Sequence, residues 1–229
     1  VAHSNDAVGF RTYPGNFLPT EEAVFRNLKS FRNMARGWFS HVDYNLALEG
    51  CHFSDNGIAV DFDRAENLTV RSSTITGISQ VMRDVHDGQD LSFERCGTGD
   101  VGNFVIGVQT HAFNNFPSTV GNDVEEVDFT GFADTDCATS VLLQVDNGVR
   151  HGWFESLHTL SQNSMEANVK PMSLCRSAGV GYNDVFIPDV DSTLNPTDVA
   201  ATGTSMFISN TDKMMKFVTG CVEYPSECM

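Results

Sequence analysis

The sequence predicts an all-β chain folded as a right-handed parallel β-helix, a solenoid with irregular loops and a less regular C-terminal cap. Three observations carry this. Apolar residues recur at a step of 22: Leu46 and Leu48 return as Leu68 and Val70, Phe53 returns as Ile75, and counting backwards Val24 and Phe31 precede Leu46 and Phe53. Within each unit apolar and polar residues alternate, the two-residue period of a strand with one buried face. Units end near Asn56-Gly57 or Thr76-Gly77, where glycine accepts left-handed backbone. A unit of this length cannot bury its apolar face alone, so successive units must stack.

Taken in order, residues 1–20 read as the end of a coil followed by a Pro/Gly-rich loop around Tyr13, Pro14 and Gly15. Residues 20–28 suit either a helical first turn at Thr20 and Glu22 or a strand from about Ala23; the match of Val24 and Phe25 to the repeat favours the strand. Residues 31–37 form the next corner, and coils follow over about 44–63 and 66–80. Residues 90–96 (DLSFERC) repeat the frame of 67–73 (NLTVRSS), and 126–132 (EVDFTGF) repeat it again. Between them, 97–123 reads as an excursion carrying Phe104 to Val108 in an enlarged loop. Residues 141–145 are a strand and 149–175 are less regular. Residues 185–194 run as a strand into an Asp-rich turn, 205–209 form a late strand, and 213–218 cap or leave the stack, because a solenoid must close its terminal core. The expectation is one domain over 1–229, with regular coils over about 1–145 and late coils plus cap over 146–229, excerpted or processed from a longer chain.

The bulk numbers bound the function. Fourteen Lys and Arg against 30 Asp and Glu leave a formal charge of −16, which argues against nucleic acid and anionic lipid as partners. No apolar run reaches the roughly eighteen residues of a membrane span, so this segment is not expected to insert. Six cysteines without a C-x-x-C exclude a zinc ribbon or thioredoxin motif and favour an oxidising compartment. Cys221 and Cys228, bracketing Pro225, are the expected disulfide; pairing of Cys51, Cys96, Cys137 and Cys175 stays open, free buried thiols included.

Several stretches resemble the parallel β-helix region of fibrocystin-type proteins, the group of fibrocystin, fibrocystin-L and the related cell-surface hyaluronidases of the cell-migration-inducing type. These are Gly9-Phe10, residues 24–33 (VFRNLKSFRN), 53–60 (FSDNGIAV), 124–132 (VEEVDFTGF) followed by Cys137, and 186–194 (FIPDVDSTL), with Ser192 where that family usually has glycine. The resemblance implies a secreted or surface-anchored glycoprotein, extracellular and in some members ciliary, partnered by other protein subunits and by glycans. Most members have no demonstrated catalysis, while one branch degrades hyaluronan. The expected role is therefore a non-catalytic structural or interaction module, the alternatives being a hyaluronidase-like hydrolase or lyase and a carbohydrate-binding module.

Polysaccharide cleavage needs two carboxylates converging on a groove, one protonated and one ionised. Asp84, His86, Asp87 and Asp90 are the candidate cluster, because they combine a histidine with three acids. Asp61 and Asp63 are two apart on an expected strand and so point the same way, and Asp134 with Asp136 make a further pair. Asp189 and Asp191 have the spacing for calcium, although no stretch completes a calcium loop with glycine and a distal glutamate, and no cofactor is otherwise expected. The competing reading is that Asp and Asn are favoured in tight solenoid turns. Seven histidines without H-x-x-x-H spacing argue against a transition-metal site, and no G-x-S-x-G or phosphate loop occurs. Asn67 heads the N-x-[S/T] sequon for glycosylation, against a stacked turn asparagine. Phe25, Phe31, Phe53, Phe62, Phe93, Phe129 and Phe132 are expected to stack in the core rather than to form sugar platforms.

Overall fold

The computed structural model describes residues 1–12, 17–82, 104–111, 121–133, 139–147, 157–167, 169, 172–176, 185–191, 193–194, 205–209 and 221–222, with backbone alone in most of the later strands. The first strands are β1 (Ala2–His3), β2 (Val8–Thr12), β3 (Ala23–Arg26), β4 (Lys29–Phe31) and β5 (Arg36–His41). β6 (Tyr44–Glu49), β7 (His52–Ser54), β8 (Ile58–Asp63) and β9 (Glu66–Thr76) follow with short corners between them. Then come β10 (Phe104–His111), β11 (Asn122–Thr130), β12 (Thr139–Asn147), β13 (Leu157–Ser161) and β14 (Ser164–Met165). The last are β15 (Met172–Arg176), β16 (Val185–Asp189), β17 (Ser205–Ser209) and β18 (Cys221–Val222). The fold is all-β, with a helical turn at residues 80–82.

The strands divide into two sheets. Sheet I runs β1-β4-β7-β9-β11-β13-β16-β17, with β3 and β6 feeding into β9 and β14 beside β11. Sheet II runs β18-β15-β12-β10-β8-β5-β2. Pairing is parallel except between β16 and β17. From β8 to β13 the chain alternates between the sheets, so each strand pairs with one a full unit away: β6 with β9, β8 with β10, β9 with β11. Parallel neighbours need such crossovers, because a tight turn reverses direction.

One apolar core serves both sheets. Trp38, Val60, Phe62, Val108 and Leu143 from sheet II pack in one cluster with Leu46, Leu48, Phe53, Leu68, Val70, Ile75, Val124 and Phe129 from sheet I. The rings of Phe25 and Trp38 meet at 5.0 Å across it. Corners are marked by positive φ at successive stacked positions: Asn27, Gly50, Ser72 and Glu126 along one edge, Asn45 and Asn67 along another. Asn27 N–H donates to Glu49 O and Gly50 N–H to Arg71 O, so the backbone ladder continues through the bend.

The step of 22 holds from β6 and β7 to β9: Leu46 lies opposite Leu68, Leu48 opposite Val70 and Phe53 opposite Ile75. It fails one unit earlier. Ala23 lies opposite Leu46, Phe25 opposite Leu48 and Ser30 opposite Phe53, so the step there is 23. The extra residue sits in the corner from β4 to β5, residues 32–35, where the next unit has only 55–57. A one-residue slip exchanges the faces of a strand, and Phe31 accordingly leaves the core: Ser30 is buried, while Phe31 is half-exposed and stacks on His3 at 4.8 Å. Phe53, Phe62, Phe129 and Phe132 are core residues as expected, Phe25 packs against the core's edge, and Phe93 lies outside the described residues.

Two other expectations are corrected. β9 pairs directly with β11, and the 90–96 frame lies outside the described residues. In that pairing Val124 faces Val70 and Phe129 faces Ile75, five residues from the register read for 126–132. Phe104 to Val108 belong not to a loop excursion but to β10, which pairs with β8 and β12 within sheet II. Residues 149–175 contain β13, β14 and part of β15.

Buried polar side chains close the corners. Asn33 and Asn56, both almost fully buried, stack: Asn56 Oδ1 accepts from Asn33 N (3.1 Å) and Asn33 Nδ2 (2.9 Å), and Asn56 Nδ2 donates to Ser30 O (2.9 Å). Asn5 extends the column by donating to Asn33 Oδ1 at 2.7 Å. Asn122 and Asn163 repeat the device, each accepting one backbone N–H and donating to a backbone carbonyl. Buried backbone groups need such partners.

Candidate site on the outer face of sheet II

Which side of sheet II faces out follows from the chain itself. Val60 and Phe62 are in the core, so Asp61 and Asp63 point away from it. Arg36 Nε donates to Asp61 Oδ2 at 2.5 Å and the Arg36 guanidinium lies 4.9 Å over the Phe39 ring, which places Arg36 on the same outer side. The alternation is broken by a second inward residue per strand. Ala59 and Leu142 are in the core beside Val60 and Leu143, and a Cβ on Gly107 would meet Phe129 Cε1 at 2.9 Å. Ile58, Ile106 and Val141, in register with one another and with Arg36, therefore form an apolar row separate from the main core.

Two rows result on this face, Arg36–Ile58–Ile106–Val141 and Phe39–Asp61–Gln109–Gln144, and His41–Asp63 begin a third. Gln109 Nε2 donates to Gln144 Oε1 at 2.6 Å. Asp61 is fully buried under Arg36. His41 Nδ1 lies 2.5 Å from Asp63 Oδ2. Arg64, at a left-handed corner (φ 55), donates through Nε to Asp63 Oδ1 at 3.2 Å and sets Nη2 2.9 Å from His41 Nε2. With Nδ1–H donated to Asp63, Nε2 keeps its lone pair for the guanidinium. Both carboxylates are engaged by cations, and Arg64 covers the imidazole nitrogen that a proton transfer would use.

Sheet I carries a ladder of alternating charge outward. Arg26, Glu49, Arg71 and Glu125 are in register across β3, β6, β9 and β11. Arg26 Nε meets Glu49 Oε1 at 2.8 Å, and Arg71 binds Glu49 while gripping Glu22 with both terminal nitrogens. Hydrogen bonds from Arg26 and Arg71 hold the Glu49 carboxyl below its usual range, and Glu22 raises Arg71. At the N-terminal unit Asp43, fully buried, accepts from Thr12 Oγ1 and from Phe17 N; burial pushes its carboxyl up despite these bonds.

The residues singled out from sequence stand as follows. Asp84, His86, Asp87, Asp90, Asp134 and Asp136 lie outside the described residues. Asp189 ends β16, one residue before the turn, and the Asp191 carboxylate is taken up by Gln162 N, Thr193 N and Thr193 Oγ1. Cys221 opens β18 and Cys228 lies outside the described residues; Cys51 is a free, buried thiol raised by desolvation. Asn67 donates Nδ2, the atom a glycan would occupy, to Asn45 Oδ1 at 3.1 Å. Among the described residues no three His, Cys, Asp or Glu side chains form a metal-binding group, and no helix is long and apolar enough to cross a membrane. The outer rows around Asp61 and Asp63 were only half legible in sequence: the shared face was readable, the cations were not. The chain matches no family model, no curated protein and no solved structure.

Proposed function

We propose that the chain is a right-handed parallel β-helix serving as a non-catalytic structural or interaction module of an assembly at the cell surface or outside the cell. The observation that carries this reading is how the outward side chains are used. Arg26–Glu49–Arg71, Arg36–Asp61 and His41–Asp63–Arg64 each tie one unit to the next, as Asn45–Asn67 does at the corner. Charges committed to neighbouring units stiffen a stack; a glycosidase would need two carboxyls kept apart in protonation across an open groove. Right-handedness follows from the general preference of parallel crossovers, and the acidic surface with six cysteines suits an oxidising, extracellular setting.

Small-angle scattering on the purified chain, combined with a polysaccharide panel read by reducing-end release and by glycan-array binding, tests it. The expected result is an elongated particle without turnover. Hydrolysis or elimination of a polysaccharide, lost in Asp63→Asn, overturns the reading in favour of an enzyme. Glycan binding without turnover overturns it in favour of a carbohydrate-binding module.

A further inference from the structure

The corner from β7 to β8 carries the dipeptide Asn56-Gly57. An asparagine followed by glycine is the pair most open to deamidation, because no Cβ on the second residue hinders its nitrogen from reaching the asparagine Cγ. In that reaction the Gly57 nitrogen bonds to Asn56 Cγ, the Cγ–Nδ2 bond breaks, and the Gly57 amide proton leaves with Nδ2 as ammonia. Water then opens the cyclic imide at either carbonyl, giving aspartate or isoaspartate. Two things are therefore needed: Cγ must turn toward the Gly57 nitrogen, and water must reach the ring.

The closed corner denies both. Asn56 is 2% exposed. Its Oδ1 accepts from Asn33 N and Asn33 Nδ2 at 3.1 and 2.9 Å, and its Nδ2 donates to Ser30 O at 2.9 Å. The amide has little room to turn, since even a Cβ on Gly37 would lie 2.8 Å from Asn56 Nδ2. The Gly57–Ile58 peptide is bound on both sides: Gly57 O accepts from Ile106 N at 2.9 Å, and Ile58 N donates to Ala35 O at 2.7 Å. We propose that Asn56-Gly57 is a deamidation site gated by the buried asparagine column. It is inert while the corner is closed, it reacts when the corner opens, and its product keeps the corner from closing again. A carboxylate at 56 cannot donate to Ser30 O, and isoaspartate inserts a methylene into the backbone of the bend. A transient opening thus becomes a permanent mark. The site requires neither substrate nor partner, so it is independent of the structural reading.

Peptide mapping by mass spectrometry, after incubating the purified full chain at mildly alkaline pH with and without urea, tests the site. Deamidation at Asn56 is expected to be at least about tenfold slower in the folded chain than in urea, since only opened molecules react. Its rate should climb through the urea unfolding transition. Asn33→Ala, which removes one of the two bonds to Asn56 Oδ1, should speed the reaction several-fold in the folded chain; an unchanged rate overturns the gate. Should that variant fail to fold, the urea series on the unmutated chain decides alone. Equal rates in the folded and unfolded chain overturn the gate, and an Asn56 that stays intact in urea overturns the site. Asn56→Asp, which makes one product directly, should lower the urea midpoint or fail to fold, and a midpoint equal to that of the unmutated chain overturns the permanence of the mark.

Discussion

The buried asparagine column makes the sharpest stability prediction. Replacing Asn56 with Ala removes the acceptor of Asn33 N and Asn33 Nδ2 and the donor to Ser30 O, at bonds of 2.9 to 3.1 Å. Asn56, Asn33 and Ser30 are each at most 2% exposed, so water cannot restore these bonds without opening the corner. Asn33 Nδ2 still reaches Ser30 Oγ and Ser30 stays in the β4–β7 ladder, which leaves the Asn33 N–H as the orphaned group. An unsatisfied buried polar group costs about 1–3 kcal/mol, so Asn56→Ala should lose about 2–4 kcal/mol once the small cavity is added. That is a large part of the 5–15 kcal/mol typical of a folded domain.

Urea unfolding with linear extrapolation measures the loss, and Asn67→Ala is the comparison. Asn67 is half-exposed and shares one 3.1 Å bond with Asn45, so its removal should cost no more than about 1 kcal/mol. Asn56→Asp should be at least as damaging as Asn56→Ala, because a carboxylate cannot donate to Ser30 O and would be buried without a cation. A loss below about 1 kcal/mol for Asn56→Ala would falsify the claim that this column closes the corner.

Three further outcomes follow from individual residues. Hydrogen bonds from Arg26 and Arg71 depress the Glu49 carboxyl from its ordinary 4.5; the stability it contributes is present above that value and lost as pH falls through the depressed one, so Glu49→Gln should flatten the acid limb of the stability-versus-pH curve. The Cys51 thiol is buried and raised by desolvation, so alkylation at pH 8 should be slow in the folded chain and fast in urea; equal rates would mean the interior position is wrong. A Cβ on Gly107 would lie 2.4 Å from Leu142 O and 2.9 Å from Phe129 Cε1, so Gly107→Ala should lower stability by about 1–3 kcal/mol through overpacking, read as a shift in urea midpoint.

The class of fold was legible because it rests on period, and period survives small errors of phase. Leu46, Leu48 and Phe53 announce their partners at 22 residues because the corner at 50–51 has the same length as its counterpart at 72–73. The preceding unit hides its phase: Val24 and Phe25 are both large and apolar, so either could fill the Leu46–Leu48 row. Only the longer corner at 32–35 decides for Phe25, and that choice turns Phe31 outward. Beyond Thr76 the sequence offers tempting frames at 90–96 and 126–132, yet pairing takes Val124 to Val70. Register across a long connection is decided by which rows complete the core, information that no local window holds.

The cations on the outer face of sheet II were illegible for a related reason. A ligand spacing such as H-x-x-x-H reports residues brought together by one helix, whereas a stacked sheet brings together residues separated by whole units. The register partners 41, 63, 111 and 146 on β5, β8, β10 and β12 are 22, 48 and 35 residues apart, and only the first of these intervals is the repeat step. The same logic governs Arg36 with Asp61, where a charge that reads as a solvated strand residue becomes a counter-ion for a carboxylate that is fully buried. Such an arrangement makes the two partners unequal under mutation. Arg36→Met would strand Asp61 without its cation, while Asp61→Asn leaves a half-exposed arginine that water can solvate, so the first should destabilise the chain more than the second. The reverse order would mean that Asp61 is held by something other than Arg36.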